Sequence, residues 1–427
     1  MKLHIEKLIY GGAGLARAEG KAIFVPFTLP DETVEAHLTG ESRGYDTADL
    51  DAILHPNPAR TLPPCPYFGK CGGCHYQHAE YPAQVEMKVA ILRETLTRAR
   101  VATIPQIVPV IGEPLGYRNR VRLHVQKNPF SLCYKLHNSH VNLPVVTCPI
   151  AAPALQQAIA TLIREGHSLE LSNWVREIEL FVNCDNSSML IALWTDMKTA
   201  QATRALEDCW PRLCELLPAL AGGAVFSSEK GRRADRIVAQ AGTNSLQYAC
   251  GSRQYQVGVG SFFQVNRFLI ERLIDLATDG EAGTTAWDLY AGVGLFSLPL
   301  TSKFTTVASV ESSGSSVRDL HHNLRGTRHR VVQADTADFL RRAAERGESA
   351  PDLVVVDPPR AGLGQQVTAA LGKLRPRKIT YVSCDPATLS RDLAALLESG
   401  YRLTRMHLVD LFPQTFHLET VSHLALD

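Results

Sequence analysis

The spacing of apolar and polar positions changes along the chain, and the changes divide it into regions. In the last third, short apolar runs are separated by segments with helical spacing. Buried strands that alternate with helices are typical of a doubly wound parallel sheet. We therefore predict a C-terminal α/β, Rossmann-like domain that ends in a hairpin, with strands at 285–289, 306–310, 331–333, 353–356, 379–382, 405–409 and 421–426.

The preceding regions follow other patterns. Residues 1–58 contain short alternating stretches interrupted by glycines, which predicts a small β-barrel. A proline-rich linker follows. Residues 78–100 carry apolar side chains at helical spacing, and residues 111–258 mix strands and helices without a nucleotide-binding fingerprint. The sequence therefore predicts a multidomain protein: a barrel, an α+β central domain and an α/β domain.

Length and composition agree with several soluble domains. The chain has 427 residues, with 45% hydrophobic and 20% charged residues. It contains no apolar run of about 18 residues, and its first residues lack the apolar core of a signal peptide. We expect a cytoplasmic monomer without membrane contact, whose ten cysteines are reduced.

Charge is distributed unevenly although the net charge is only +1. Residues 61–130 hold nine Lys or Arg against four Asp or Glu, whereas residues 1–60 hold six against nine. A basic segment in a neutral chain suits an anionic partner. Within it, Arg118, Arg120 and Arg122 alternate with other residues and should share one strand face. Such a stripe suits RNA phosphates, and a solvated sheet face is the alternative.

A cluster of cysteines indicates a metal centre. Cys65, Cys71 and Cys74 have the spacing C-x5-C-x2-C. Clustered thiols in a reducing compartment favour metal binding over disulfides. Four-thiolate coordination needs one more ligand, for which Cys148 is the best candidate and Cys133 its rival. Zinc and iron–sulfur centres both accept four thiolates, so the spacing leaves the metal open.

A glycine-rich turn directly after the strand at 285–289 indicates a cofactor site. Gly292 and Gly294 let the backbone approach a ligand, and the full dinucleotide fingerprint is missing. Glu311 ends the next strand, where an acid can bind ribose hydroxyls, and Asp335 follows the third, where a carboxylate can accept from an adenine amino group. This order resembles that of S-adenosylmethionine methyltransferases. A simple strand-end cap is the alternative for each acid.

Two further residues have the chemistry of a covalent mechanism. Cys384 directly follows the apolar run at 379–382, and open α/β sheets bind ligands at the carboxyl ends of their strands. A thiolate there can attack an electrophilic carbon. Glu419, near the C-terminus, can later remove a proton. With the cofactor motif, these residues indicate a methyltransferase that uses a cysteine nucleophile.

Jointly, these motifs resemble the uracil-5 RNA methyltransferases, in the iron–sulfur-containing branch that includes the bacterial 23S rRNA enzymes. The glycine pattern at 10–17 is similar to the TRAM domain, an OB-like barrel found on RNA-modifying enzymes. The resemblance spans the whole chain. Besides the cysteines, it rests on the segments at 260–266, 288–294, 357–360, 383–386 and 417–420.

The resemblance implies a role for each of these residues. Cys384 would be the nucleophile and Glu419 the base. A [4Fe–4S] cluster would be held by Cys65, Cys71, Cys74 and Cys148. The S-adenosylmethionine pocket would be lined by Gln264, Tyr290, Glu311, Asp335 and Asp357. One departure is Asp385, which stands where many relatives have Asn, and the sequence leaves its effect on the neighbouring thiolate open.

The resemblance also implies an arrangement of domains and a partner. The barrel would occupy 1–58, the central iron–sulfur and RNA-binding domain 59–77 with 111–258, and the methyltransferase domain 78–110 with 259–427. The substrate would be RNA, with 23S rRNA first and tRNA as the alternative. Its target base must leave any stack to reach the thiolate. Phe262 and Phe263 are candidates for stacking on that base, and a core position is the alternative for both.

Two alternative functions fit these motifs less well. Cytosine-5 methylases place the cysteine in a Pro-Cys or Thr-Cys setting, unlike the Ser-Cys-Asp-Pro found here, and amino-group methylases carry an aromatic where Arg360 stands. A non-enzymatic iron–sulfur RNA-binding protein is the second alternative. The presence of Cys384, Glu419 and the pocket acids counts against it.

Overall fold

The computed structural model describes residues 1–227 and 236–426. The N-terminal region forms a six-stranded sheet with its own apolar core, which includes Ile5, Val25 and Val34. Its strands are β1 (Lys2–His4), β2 (Lys7–Leu8), β3 (Ala13–Ala18), β4 (Lys21–Pro26), β5 (Thr33–Glu41) and β6 (Tyr45–His55). Their order is β1-β5-β6-β4-β3-β2, so each strand except the two ends has two neighbours.

The helix predicted at 78–100 is α1 (Tyr81–Arg98). Its second residue is a proline, and proline is tolerated in the first turn of a helix. Its buried face includes Val85, Leu92 and Leu96, as the apolar spacing predicts. It is followed by β7 (Ile107–Val110). Neither element joins the central sheet that comes next in the chain; β7 instead becomes an edge strand of the C-terminal sheet.

The central region is a seven-stranded mixed sheet with three helices. Its strands are β8 (Arg120–Gln126), β9 (Ser131–Lys135), β10 (Asn142–Pro144), β11 (Val175–Val182), β12 (Met189–Thr195), β13 (Leu220–Ser227) and β14 (Arg236–Gly242). The helices are α2 (Pro153–Glu165), α3 (Leu171–Trp174) and α4 (Thr199–Leu216). The order is β10-β9-β8-β11-β12-β13-β14, with β12 and β13 parallel and the other pairs antiparallel. This mixed sheet is the α+β region that the sequence predicts.

A hairpin of β15 (Ser245–Cys250) and β16 (Arg253–Gly258) follows, and its side chains Tyr248 and Tyr255 are buried in the same core as α5 (Ile270–Thr278). That core covers one face of the C-terminal sheet. Its members come from both the central and the C-terminal sheets, for example Phe181 and Val355. The two regions therefore share apolar packing.

The C-terminal region is an eight-stranded sheet in which five parallel strands are followed by an antiparallel pair and β7. Its strands are β17 (Gly283–Leu289), β18 (Phe304–Glu311), β19 (His329–Gln333), β20 (Leu353–Val356), β21 (Lys378–Ser383), β22 (Tyr401–Val409) and β23 (Glu419–Leu426). Further helices are α6 (Ser297–Leu300), α7 (Gly314–Asn323), α8 (Thr336–Glu345), α9 (Gly364–Leu374) and α10 (Pro386–Glu398). The order is β19-β18-β17-β20-β21-β23-β22-β7.

This sheet confirms the predicted alternation of strands and helices, including the final antiparallel pair. After the glycine turn the chain forms only the single helical turn α6. Within the described part of the chain, no helix combines the length and the apolarity that crossing a membrane requires.

Candidate active site

The carboxyl ends of the parallel strands open into one cavity of about 710 Å³. The order of the sheet reverses between β17 and β20, which is where open α/β sheets bind their ligands. The cavity brings together all seven residues predicted for the cofactor and for catalysis: Gln264, Tyr290, Glu311, Asp335, Asp357, Cys384 and Glu419.

The turn after β17 has a backbone that most side chains would not tolerate. Gly294 has a φ of 93°, and a Cβ there would lie 2.8 Å from a methyl carbon of Leu320. Tyr290 also has a positive φ, of 66°, an uncommon conformation that is concentrated at functional sites. Its hydroxyl is hydrogen-bonded to Thr336. The turn is therefore held in a fixed shape against the cavity.

Glu311 fastens this turn to the end of β18. Its Oε2 accepts from the backbone N–H of Gly292 at 2.9 Å, and its Oε1 accepts from the N–H of Ser313 at 2.7 Å. Oε1 also accepts from the hydroxyl of Ser312 at 3.4 Å, so a further lone pair remains on Oε2. Glu311 therefore orders the turn and can still accept hydrogen bonds from hydroxyl groups of a ligand.

Asp335 lies at the start of α8, and its Oδ1 accepts from the backbone N–H of Ala337 at 2.8 Å. It is thus a helix N-cap, the alternative role that the sequence left open. It also lines the cavity. The N-cap fixes one carboxylate oxygen in place, and Oδ2 remains available for a donor on a ligand.

Strand pairing brings Cys384 next to Glu419. Ser383 at the end of β21 pairs with Thr420 of β23; Cys384 directly follows β21, and Glu419 is the first residue of β23. Glu419 is only 3% exposed, and its Oε1 has no hydrogen-bond partner among the described residues. A buried carboxyl oxygen without a partner is costly and is concentrated at functional sites.

Burial and the neighbouring acids raise the pKa of both members of this pair. Burial, and then the neighbouring Asp357, hold the pKa of Glu419 well above its usual range. Burial followed by Glu419 and Asp357 raises the pKa of Cys384 to about 12, and Arg360 opposes that rise. Burial and Asp288 raise the pKa of Asp357 to about 7. A cation entering the cavity would therefore favour ionisation of all three groups.

Gln264 connects the central sheet to the cavity. Its side chain is hydrogen-bonded to Asp357, and its carbonyl accepts from Nδ2 of the buried Asn119 at 3.0 Å. The two preceding residues both line the cavity but differ in exposure: Phe263 is 2% exposed and belongs to the core, whereas Phe262 is 65% exposed. The core position therefore holds for Phe263 and not for Phe262.

Two further cavity residues, Arg360 and His417, belong to the sequence motifs but have no predicted role. Arg360 Nη2 lies 3.1 Å from Nδ1 of His417, and burial followed by Arg360 lowers the pKa of His417 to about 3. The imidazole is therefore neutral, and Arg360 is the cation nearest to Cys384 in the cavity. Its position two residues after Asp-Pro was the signal available in the sequence.

The loop between β22 and β23 leads to Glu419 and is fixed by residues far away in the chain. Lys88 Nζ donates to Oδ1 of Asp410 at 2.6 Å, with both side chains fully buried. Gln84 and Gln414 exchange two hydrogen bonds, of 3.0 and 3.1 Å. The backbone N–H of His75 donates to the carbonyl of Gln414 at 2.8 Å. Nothing in the sequence pattern indicates these contacts.

The four cysteines predicted as metal ligands meet at a second cavity, of about 670 Å³, which Cys65, Cys71, Cys74 and Cys148 all line. The rival, Cys133, is buried on β9 and does not line it. In residues 1–227 and 236–426, no group of three or more Cys, His, Asp or Glu is close enough to bind one metal ion directly.

The predicted arginine stripe is corrected in two respects. Arg118 lies before β8 and forms isolated bridges to Ala151 and Asn266, so β8 itself carries two of the three arginines. Arg120 is largely buried: Nη1 donates to the carbonyl of Ser261 at 2.7 Å, and the guanidinium lies over the ring of Phe181. The aromatic residue on the neighbouring strand and the segment at 260–266 cover this part of the sheet.

Arg122 remains exposed but has partners. It is paired with Glu177 at 2.5 Å, and its guanidinium lies 3.7 Å from the ring centre of Trp194. Arg118 and Arg122 both line the cavity of the four cysteines. Of the three arginines, these two therefore line the cavity, together with Lys135.

The fold and the cavity define an S-adenosylmethionine-dependent methyltransferase of class I. Among solved structures, the tRNA (uracil-54, C5)-methyltransferase of Pyrococcus abyssi, in complex with S-adenosyl-L-homocysteine, superposes with a TM-score of 0.77. The match covers 99% of this chain and 100% of that one at 21% identity. At this identity the likeness establishes the fold.

The family follows from the sequence comparisons. A family model described as tRNA (uracil-5-)-methyltransferase matches residues 81–426, and the chain belongs to this family. An RNA methyltransferase of Aquifex aeolicus is 33% identical over 100% of this chain and 98% of its own length. A 23S rRNA (uracil(1939)-C(5))-methyltransferase of Chromohalobacter salexigens is 32% identical over 100% and 89%. The protein is thus an RNA uracil-5 methyltransferase that uses S-adenosylmethionine.

Proposed function

We propose that this enzyme methylates carbon 5 of a uridine in 23S rRNA through a covalent bond between Cys384 and the base, and that Glu419 resolves this adduct. The observation that carries the proposal is the pairing of β21 with β23, which puts Cys384 and Glu419 side by side in the cavity. The reaction needs a nucleophile and a base on the same ring, and these two side chains supply them.

The chemistry explains why both are needed. Carbon 5 of uracil is too weak a nucleophile to take a methyl group unaided. When the Cys384 thiolate bonds to carbon 6, the electrons of the 5,6 double bond move into an enolate, and carbon 5 can attack the methyl carbon, from which the sulfonium sulfur would leave as a neutral thioether. Glu419 then takes the proton from carbon 5. The double bond re-forms as the sulfur of Cys384 leaves.

The protonation states suit this order of events. In the free protein the thiol stays protonated, because burial and the acids around it raise the pKa of Cys384. The sulfonium of S-adenosylmethionine supplies the methyl group and a positive charge when it is bound. Near Asp357 that charge lowers the pKa of both carboxyl groups and of the thiol. Arg360 favours the thiolate throughout. A carboxylate whose pKa is raised is also the stronger base for a carbon-bound proton.

The cofactor fits the residues that line the turn after β17. Glu311 is placed to accept from ribose hydroxyls, and Asp335 from an adenine amino group. Tyr290 offers a ring face at the same wall. Asp357 and Gln264 lie between this wall and Cys384, where a carboxyl faces the positive end of the ligand. On this assignment each of the five predicted residues has one function.

RNA reaches this cavity on the proposed route past Phe262. An exposed aromatic ring at the mouth of the cavity can stack on a base that has left its helix, and stacking is worth about 1–3 kcal/mol per base. Arg118 and Arg122 supply cations for phosphates. The six-stranded N-terminal sheet acts as the TRAM barrel of the family, and the three domains have the boundaries given by the resemblance.

The four cysteines hold a [4Fe–4S] cluster in this proposal. Cys65, Cys71, Cys74 and Cys148 line one cavity. The resemblance to the iron–sulfur-containing branch favours a cluster over a single zinc ion, since both can be held by four thiolates. The cluster joins the 65–74 loop to the segment that carries Cys148.

Ribosomal RNA is preferred to tRNA because several full-length relatives at about 31% identity are 23S rRNA enzymes, including that of Shewanella amazonensis. To test the choice, the purified enzyme is incubated with labelled S-adenosylmethionine and, separately, with unmodified 23S rRNA and unmodified tRNA. We expect label in 5-methyluridine of 23S rRNA alone. Label in tRNA alone would overturn the preferred substrate, and label in neither would overturn the proposed function.

A further inference from the structure

Tyr10 links the N-terminal sheet to the residue that follows the nucleophile. It lies between β2 and β3, and its hydroxyl donates to Oδ2 of Asp385 at 3.2 Å. The edge of its ring packs on Phe416, with ring centres 5.4 Å apart, in the loop that leads to Glu419. A side chain of the first sheet therefore contacts both catalytic segments.

Asp385 uses its two oxygens in different ways. Oδ1 caps α10, accepting from the backbone N–H groups of Ala387 at 3.0 Å and Thr388 at 2.9 Å. Of the residues that the structure describes, Tyr10 alone donates to Oδ2. An asparagine at 385 could cap α10 equally well, since Asn and Asp are comparable N-caps. Only the carboxylate needs a donor for its second oxygen.

The charge of this carboxylate opposes catalysis. Asp385 raises the pKa of the adjacent Cys384 thiol, as Glu419 and Asp357 do, while Arg360 lowers it. Tyr10 also lies near the thiol. Burial and Asp385 raise the pKa of its phenol, so the hydroxyl stays protonated and remains a hydrogen-bond donor. Asp385 is the only one of the three acids that has no role in the proposed chemistry.

We propose that Tyr10 is a positioning residue for Cys384: its hydroxyl holds the Asp385 carboxylate toward the N-terminal sheet and takes up part of its negative charge, so that the neighbouring thiolate can form. This inference rests on the proposed role of Cys384 as the nucleophile. It gives the N-terminal sheet a part in catalysis besides RNA binding. It also accounts for an aspartate at a position where an amide would be neutral.

The test compares four full-length proteins: wild type, Tyr10→Phe, Asp385→Asn and the double variant. The first measurement is the rate of Cys384 alkylation by iodoacetamide against pH, without RNA, located by mass spectrometry. We expect Tyr10→Phe to slow alkylation at pH 8 about 3- to 10-fold, because a hydrogen bond to a charged group is lost. Asp385→Asn should speed it, because a negative charge beside the thiol is removed. In that background Tyr10→Phe should change nothing.

The second measurement is single-turnover methyl transfer to the RNA substrate, together with RNA affinity. Tyr10→Phe should slow transfer about 3- to 10-fold near pH 7.5 and leave the RNA dissociation constant unchanged, and the loss should disappear when residue 385 is Asn. Tyr45→Phe, a change on the same sheet in an exposed tyrosine, is the matched control and should have no effect.

Three outcomes would overturn the inference. They are unchanged alkylation in Tyr10→Phe, an equal loss in both residue-385 backgrounds, and weaker RNA binding with a normal transfer rate. The last would make Tyr10 an RNA contact. Failure of the proposed function looks different: Cys384→Ala would then retain methyl transfer, while the alkylation rates would still report on Tyr10 and Asp385.

Discussion

Glu419 carries a cost that the fold does not compensate. Its carboxyl is buried with one oxygen unpaired, and burial raises its pKa. The native state therefore binds this proton more tightly than the unfolded chain. Where the native state holds more protons, stability falls as pH rises. The cost in folding stability therefore increases as the pH rises above the pKa of a glutamate in the unfolded chain. Such costs are common at sites that trade stability for activity.

Replacing Glu419 by Gln separates the two halves of the reaction. Attack by Cys384 and methylation of carbon 5 should proceed, and proton removal should stall because an amide is a very poor base. A methylated protein–RNA adduct should accumulate and survive denaturing gel electrophoresis. The variant should also melt at a higher temperature than wild type above about pH 5, because glutamine avoids the free-energy cost of keeping a buried carboxyl protonated above its unfolded pKa.

The control for this variant is a second change, Cys384→Ala, which should remove the adduct without changing the melting temperature gain. If the adduct carries label from the methyl group of S-adenosylmethionine, the variant is blocked at a step after methyl transfer. Normal multiple turnover by Glu419→Gln would refute the assignment of the base.

At the level of single residues, the sequence indicates types of chemistry better than surroundings. Cys384 and Glu311 follow strands, and strand ends of a parallel sheet converge, so their place in one cavity follows from topology. Phe262 and Phe263 are identical in sequence terms, yet one is exposed and one is core. Arg120 has the same alternating sequence setting as Arg118 and Arg122, but in the structure it is covered by Phe181 on the neighbouring strand. Such differences depend on contacts between distant segments.

At the level of elements, β8 contains two arginines with opposite expected roles. Arg122→Ala, combined with Arg118→Ala, should raise the RNA dissociation constant and reduce the slope of its logarithm against salt by about 2, one for each lost phosphate contact. Arg120→Ala should leave that slope unchanged and lower stability by about 1.5–3 kcal/mol, since it leaves buried partners unpaired. Filter binding across salt concentrations and thermal melting measure these effects.

Arg176→Ala is the matched control, because this arginine is on the neighbouring β11 and does not line the cavity of the cysteines. It should leave both RNA affinity and salt slope near wild type. If the double variant also kept the wild-type slope, Arg118 and Arg122 would be ordinary solvated residues of the sheet.

The parallel strands were predictable as elements because each contains a short apolar stretch bounded by polar or turn residues. β7 was not. Its four residues contain a proline and carry little pattern, and their partner is β22, almost 300 residues further along the chain. Pairing at such separation is decided by tertiary packing, which single-sequence periodicity does not record.

At the level of the whole molecule, the cysteine cavity is the next test. Anaerobically purified protein should be brown and contain iron and inorganic sulfide. Cys71→Ala should bleach it and lower its melting temperature, because the proposed cluster ties Cys148 to the 65–74 loop. Methyl transfer should also decrease, since the backbone of His75, next to that loop, holds Gln414 near the active site.

Cys133→Ala is the control, because Cys133 is buried outside the cavity and should leave the iron content intact. Iron and sulfide analysis with the visible absorption spectrum distinguishes the two variants. Stoichiometric zinc without sulfide in the wild-type preparation would contradict the cluster and return the site to the zinc alternative.

The buried pair of Lys88 and Asp410 joins positions 322 residues apart, and it has a consequence for how the polypeptide is made. During synthesis, α1 and β7 leave the ribosome long before the strand and the loop that complete them. While the central sheet is being synthesised, the apolar faces of α1 and β7 lack these partners and must be covered by other contacts. A gene fragment that starts at residue 259 would encode the catalytic cavity but leave Asp410 buried without its lysine and β22 with an open edge. The catalytic half is therefore not a portable module, and its inheritance in evolution is tied to that of the region before it.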